Sequence, residues 1–243
     1  MIESSATPDY DTSLVSIVIP ALNEERTIQN IIERAKNFGE VIVVDDGSRD
    51  RTRQLAEDTG VKVISHQRNM GYSVALKAGY KHSTREVITI MDADAQMVPE
   101  ELPRLVSPII KGEADLVIGS KFKGKLAYRP GIPNYVLDRI VSLVLRMKYG
   151  IRLSHSNSGF RAFRRSCLDI DSLKGISYEG MVELDFIFAS NHKRIVEVPR
   201  TALRRKSGKS SVKPIDGVRI LLRMMEFVAN RNPRKASVIK YLY

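Results

Sequence analysis

Cysteine is almost absent from this chain. Cys167 is the only one in 243 residues, so no intramolecular disulfide can form, and a reducing compartment fits. Long apolar runs are missing too. The longest charge-free stretch near the start, Leu14 to Asn23, falls short of the roughly 20 residues that a spanning helix needs. Later apolar segments are broken by Arg139, Arg146, Arg219 and Arg223. The opening "MIESSATPDYDTS" is polar and acidic, without the cationic start and apolar core of a secretory leader. There is no internal repeat and no low-complexity segment. Acids are scarce toward the C-terminus: from Arg200 to Tyr243 twelve Lys and Arg face only Asp216 and Glu226, so this segment carries nearly all of the net charge of +11. That asymmetry calls for an anionic partner, whether nucleic acid, an acidic lipid surface or a phosphorylated substrate.

What remains is a chain long enough for a substantial core, and its first 120 residues alternate between two periods. Strand-like apolar runs occupy 14–20, 40–46, 61–65, 86–92 and 114–120. Helical patterns lie between them, from about Glu24 to Asn37 with Asn23 as cap, then at about 50–59, 71–82 and 99–111, the last with Pro99 in its first turn. Such alternation predicts an α/β fold, a mostly parallel sheet covered on both faces. Ligands on such sheets bind beyond the carboxyl ends of the strands. After Ser120 the pattern loosens. A loop rich in Lys, Gly and Pro is followed by an amphipathic stretch at 135–150, the mixed aromatic and basic "NSGFRAFRR" (157–165), a helix at 179–191 and a strand at 194–200. The basic loop "RRKSGKSS" (204–211), with Gly208 free to take a positive φ, precedes a final helix at about 214–230.

Two acidic clusters fall at predicted strand ends. Asp45-Asp46-Gly47-Ser48 also reads as ordinary turn chemistry. Asp92-Ala93-Asp94 differs, because a strongly apolar run precedes it and Gln96 follows. Two neighbouring carboxylates repel unless a cation balances them. Oxygen ligands with open positions suit Mg²⁺ or Mn²⁺, which take substrate phosphates as further ligands.

The segments "VSIVIPALNEE" (15–25), "VIVVDDGSRDRT" (41–52), "NMGYSVALKAGY" (69–80), "MDADAQMVPEEL" (91–102), "SGFRAFRR" (158–165) and "EVPRTALRRKSGKSS" (197–211) occur in an order that resembles the family 2 glycosyltransferases of the GT-A fold, in particular the dolichyl-phosphate mannose synthase branch. The resemblance implies a flexible N-terminus (1–13), a nucleotide-sugar-binding subdomain (14–120), an acceptor-binding part of the same GT-A domain (121–211) and a basic, membrane-facing helix and tail (212–243). It implies that Pro20, Leu22, Glu24, Val44, Asp46, Asp92, Ala93 and Lys121 contact the donor, with Leu22 where tyrosine is common. Asp92, Asp94 and Gln96 are the implied metal ligands for Mg²⁺ or Mn²⁺. Catalysis falls to Asp92, Asp94 and Arg205, and phosphate binding on the acceptor side to Arg161, Arg205 and Lys209. Relatives usually carry aspartate where this chain has His155, three residues before Ser158-Gly159-Phe160, and the lysine that ends the basic loop is displaced to Lys209 or Lys213. His155 is not expected to act as catalytic base.

The implied reaction is an inverting transfer of a sugar onto dolichyl or polyprenyl phosphate, with mannose from GDP-mannose favoured over glucose from UDP-glucose and over transfer to a glycan hydroxyl. A phosphate monoester, with a second pKa of about 6, is already anionic and needs no strong base to attack. Residues 135–148 and the tail ending "KYLY" fit peripheral attachment at the cytoplasmic face of a membrane, with a small membrane subunit or a second copy as partner. A sugar nucleotidyltransferase would need a glycine-rich basic loop where this chain reads "PALNEER". A nucleic-acid-binding module would leave the acidic strand ends unexplained, so nucleic acid is not the expected partner.

Overall fold

The computed structural model describes residues 8–127, 132–205 and 213–229. Its strands are β1 (Val15–Ala21), β2 (Glu40–Asp45), β3 (Lys62–Ser65), β4 (Val87–Ile90), β5 (Leu116–Ser120), β6 (Arg161–Arg164) and β7 (Ile195–Pro199). They form one seven-stranded sheet in the order β3-β2-β1-β4-β6-β5-β7. All neighbours run parallel except β6, which is antiparallel to both β4 and β5.

The helices are α1 (Ile28–Ala35), α2 (Thr52–Glu57), α3 (Tyr72–His82), α4 (Leu102–Ile110), α5 (Ile132–Tyr149), α6 (Glu179–Ser190) and α7 (Pro214–Ala229). They cover both faces. Ile28, Ile31, Ile32 and Ala35 of α1 join Leu102, Leu105, Val106 and Ile109 of α4 on one side, against Ile17 and Ile19 of β1. On the other side, residues of α3, α5, α6 and α7, among them Leu76, Val141, Phe186 and Ile220, pack on Val18, Val44 and Ile90. Every residue of β1 is buried, as a central strand enclosed on both faces requires. Each fully buried Ile or Val there contributes about 1.5–3 kcal/mol.

The structure corrects the expected start of the first helix. Asn23 is not its cap but sits at φ 56°. Its side chain accepts from the Arg49 amide and its own amide donates to Ser48 Oγ. The Glu24 amide is engaged by Thr52 Oγ1. Residues 23–27 thus tie β1 to the loop after β2, and regular helix begins only at Ile28.

Candidate active site

A cleft of about 640 Å³ opens beyond the carboxyl ends of the strands, the position that a sheet with its order reversing around β1 prescribes. The two acidic clusters meet in it, but their members divide the work. Asp45 Oδ1 accepts from the Ser48 amide and so caps the turn after β2. Asp46 turns into the cleft. The Asp46 carboxylate is held by three donors: His66 Nδ1 at 2.7 Å and the Met70 amide at 2.9 Å on Oδ1, and the Gly71 amide at 2.9 Å on Oδ2. Gly47 between them has φ 78°, and a Cβ there would lie 2.5 Å from the Arg68 carbonyl carbon. Only glycine allows the two loops to approach this closely.

Asp92 and Asp94 follow β4. The Tyr72 hydroxyl donates to Asp92 Oδ1 at 2.7 Å, and Tyr72 stacks on Tyr178. Burial, and then the neighbouring Asp94 charge, push Asp92 up to about 6, against the opposing pull of Tyr72, Arg200 and Arg205. Asp94 Oδ1 accepts from the Gln96 amide, an arrangement that places Ala95 at φ 59°. Asp94 Oδ2 accepts from Arg205 at 2.8 Å, and the other arm of that guanidinium donates to Glu24 Oε1 at 2.9 Å. Burial raises the Glu24 pKa while Arg205 opposes the rise. Gly159 completes the wall: a Cβ there would stand 2.7 Å from the Tyr72 hydroxyl and 2.9 Å from Asp92 Oδ2.

This donor set suits a hard divalent cation. Asp92 is buried beside a second carboxylate, and burial first and the Asp94 charge second raise its pKa, while Asp94 is paired with Arg205. Among the described residues no third acid, His or Cys joins them into a closed cage. Such a site leaves positions for phosphate oxygens, which is how Mg²⁺ and Mn²⁺ are commonly held.

The far half of the cleft is lined from β5, α5 and the loop before β6. Lys121, Asp138, His155 and Asn157 face it. Asp138 accepts from the Asn157 amide at 3.0 Å and Ser156 Oγ at 3.3 Å. Burial pushes its carboxyl up to about 6 although Lys121 pulls the other way. His155 is buried, and desolvation together with Lys121, Arg200 and Arg161 hold it well below its ordinary pKa, so the ring is neutral. Lys213, Asp216 and Arg219 add the start of α7 to the rim.

Of the residues implied by the sequence pattern, Pro20, Leu22, Glu24, Asp46, Asp92, Ala93, Asp94, Gln96, Lys121 and Arg205 all line the cleft. Gln96 also donates through Nε2 to the Leu203 carbonyl, pinning the basic segment to the acidic one. Two expectations are corrected. Val44 has no exposed surface and packs in the core against α3. Arg161 is also fully buried. It pairs with Asp185 at 2.9 Å and donates to the carbonyls of Ser156, Ser158 and Met181. Its guanidinium is spent on internal partners and holds the loop before β6 onto α6, so it does not reach a phosphate. Lys209 lies outside the described residues. Sequence reasoning missed Tyr72, His66 and Asp138. A lone Tyr, His or Asp carries no spacing signal, although Asp138 does interrupt the apolar stripe of α5.

Asp138 gives a pH-dependent test. Its folded pKa of about 6 exceeds the ordinary 3.8. Between those values the folded chain binds more protons at this site than the unfolded chain. The cost of burying the charge is absent below the lower value and complete above the upper one. Asp138→Asn is therefore expected to gain up to about 3 kcal/mol on wild type between pH 4 and pH 7, read from urea denaturation. A pH-independent difference would show that Asp138 does not titrate in this window.

The family profile described as Glycosyl transferase family 2 matches residues 16–170. The chain is 33% identical over 214 residues to the undecaprenyl-phosphate mannosyltransferase of Micrococcus luteus, covering 82% of this chain and 87% of that one. It is 31% identical over 211 residues to the dolichol-phosphate mannosyltransferase of Pyrococcus furiosus, covering 82% of this chain but only 59% of that protein's length. The fold matches glucosyl-3-phosphoglycerate synthase from Mycobacterium tuberculosis, crystallised with Mn²⁺, UDP and phosphoglyceric acid, with a TM-score of 0.70 at 24% identity over 90% of this chain and 80% of that one.

Proposed function

This chain belongs to glycosyl transferase family 2, and we propose that it is an inverting enzyme moving a sugar from a nucleoside diphosphate onto a dolichyl or polyprenyl phosphate at a membrane surface. The observation that carries this reading is the pair of neighbouring helices α5 and α7. Both line the cleft, through Asp138 and through Asp216 and Arg219. Both also expose apolar side chains outward: Tyr135, Val136, Ile140, Leu143 and Met147 on α5, and Ile215, Val218, Leu222, Met225 and Val228 on α7. Exposed Arg139, Arg146 and Arg219 lie among them. An amphipathic surface with a cationic rim suits an anionic bilayer, and it would bring a lipid-linked phosphate to the mouth of the same cleft. No helix of the described residues is long and apolar enough to cross a membrane. Attachment in this reading is peripheral, on the cytoplasmic face, with a small membrane subunit or a second copy as further partners.

Asp92 and Asp94, with Gln96 beside them, would hold Mg²⁺ or Mn²⁺. When bound, such an ion supplies Lewis acidity toward the departing diphosphate. Arg205, poised between Glu24 and Asp94, would donate to phosphate oxygens, for which a planar guanidinium is well shaped. Lys121 would reduce repulsion between the anionic acceptor and the anionic donor. The acceptor phosphate attacks the anomeric carbon as an anion, so no residue need abstract a proton, in keeping with the buried, neutral His155. The names of the Micrococcus and Pyrococcus relatives support mannose as the sugar. GDP-mannose is then the expected donor and UDP-glucose its alternative, a choice that turns on the contact to the base.

The test is transfer of labelled sugar in the presence of Mn²⁺ to polyprenyl phosphate carried in vesicles of anionic phospholipid. The expected product is a lipid-extractable sugar phosphate, with the protein co-floating with those vesicles and not with neutral ones. Label recovered solely in water-soluble oligosaccharide would reject lipid phosphate as acceptor.

A further inference from the structure

The far half of the cleft contains polar atoms that the protein leaves unused. Asp138 is only 2% exposed, yet it lines the cavity. Its Oδ1 accepts from the Asn157 amide and from Ser156 Oγ. Its Oδ2 accepts no hydrogen bond among the described residues. Across from Oδ2, at 4.0 Å, stands His155 Nε2, too far for a direct hydrogen bond. The His155 ring is neutral, and the Lys121 amide donates to its Nδ1 at 3.5 Å, so the ring proton sits on Nε2. A donor and a charged acceptor thus face each other with room between them. Asn157 adds a buried carboxamide oxygen that has no hydrogen-bond partner among the described residues, and this residue lines the same cavity. Buried polar atoms are ordinarily satisfied. Three such atoms gathered on one wall are completed by what enters the cleft.

We propose that Asp138 and His155 form a sugar-hydroxyl subsite, in which one hydroxyl of the transferred sugar sits between them, accepting from Nε2–H and donating to Oδ2. A hydroxyl can do both at once. An oxygen about 2.8 Å from each atom spans the gap. Asn157 Oδ1 is open to a second hydroxyl. A phosphate oxygen suits the place poorly, because a dianion has no proton to offer Oδ2 and its charge would be repelled by the carboxylate. Retention of the carboxylate also speaks for use. Burial opposes its charge, a cost that a neutral asparagine of the same shape would not bear. Asp138 and His155 are thus specificity residues that touch the sugar. His155 is also where this chain departs from the family pattern, so the subsite belongs to this chain's own sequence. The inference rests on the proposed donor being a nucleotide sugar and is independent of its base and of the lipid acceptor.

The experiment is calorimetric titration of the full chain with GDP-mannose and with GDP, in saturating Mn²⁺ and without acceptor, repeated with UDP-glucose and UDP. Asp138→Asn, which is expected to fold at least as stably as wild type, puts an amino group where Oδ2 stood. It should weaken the sugar nucleotide about tenfold, the loss of a charged hydrogen bond, and leave the bare nucleotide unchanged. His155→Ala should do the same, and His155→Gln, whose amide nitrogen can stand in for Nε2, should recover most of the loss. Of the monodeoxy analogues of GDP-mannose, the one lacking the bridging hydroxyl should bind wild type about tenfold more weakly, with no further loss in Asp138→Asn. Equal effects on sugar nucleotide and bare nucleotide overturn the inference, as does an unchanged affinity for both. Unchanged sugar-nucleotide affinity with an altered KM for polyprenyl phosphate would place Asp138 on the acceptor and overturn it too. If only the uridine pair binds, the GDP-mannose donor falls and the same ratio is read from UDP-glucose and UDP. If neither pair binds, the nucleotide-site reading falls and the inference with it.

Discussion

Asp94→Ala should lower kcat/KM on the order of a thousandfold while leaving the fold in place. The reason lies in what Asp94 joins. Its Oδ1 shapes the turn through the Gln96 amide, and its Oδ2 holds Arg205. With Asp92 it is one of the two carboxylates proposed to hold the cation. Removal leaves Asp92 as the sole charged ligand and releases Arg205 on one side. The fold should persist, because Arg205 keeps its bond to Glu24 and Ala fits a site where no apolar contact is lost. Asp92 should also ionise more readily, since a neighbouring negative charge that raises its pKa has gone. Circular dichroism and urea midpoints check the fold, and Mn²⁺ titration followed by electron paramagnetic resonance checks the site. Near-normal turnover in Asp94→Ala, or wild-type activity that withstands a chelator, would remove Asp94 and the cation from the mechanism together.

The second large effect is expected from Arg205→Ala, and it runs in two directions. Turnover should fall on the order of a hundredfold, because in the proposed reaction the departing diphosphate would lose a bidentate partner. Binding of Mn²⁺ in the absence of nucleotide should instead tighten about tenfold. In the structure the guanidinium lies 2.8 Å from Asp94 and 2.9 Å from Glu24, where it neutralises the charge that would otherwise attract a cation. In the proposed function Arg205 and the ion would compete for Asp94, and a bound diphosphate would offer the guanidinium another partner. Arg205→Lys keeps the charge but not the planar fork, so it should retain weak metal binding and recover little turnover. If Arg205→Ala binds Mn²⁺ no better than wild type, the guanidinium does not mask Asp94.

Asp92 and Asp94 were readable as a site because an apolar run ending in paired acids has few innocent explanations. Residue type alone does not separate Asp45 from Asp46; only the family resemblance singles out Asp46. One caps a turn and the other enters the cleft, and only the backbone after β2 decides which. The parallel strands announced themselves through length and branching. The short β6 did not, since four residues containing two arginines match no burial pattern. Arg161 shows why. A charge with no exposed surface is tolerated there because Asp185 and three carbonyls meet its guanidinium, and those partners lie 3 to 24 residues away in sequence. Asp138 escaped notice for a related reason: its setting is assembled from Asn157, Ser156 and Lys121, which no window on α5 contains.

The reversed strand β6 has a consequence for how the chain is made. It is wedged between β4 and β5, so those two strands share no hydrogen bonds, and until residues 161–164 arrive they are linked through the packing of α4 on both. A nascent chain that has just emerged as far as Ser120 would have the partners for one ladder of β3, β2, β1 and β4 with an open edge, while β5 would be held beside it through α4 alone. Closure waits for about forty more residues of synthesis. During that wait the naked flank of β4 is the place where a folding helper would be needed.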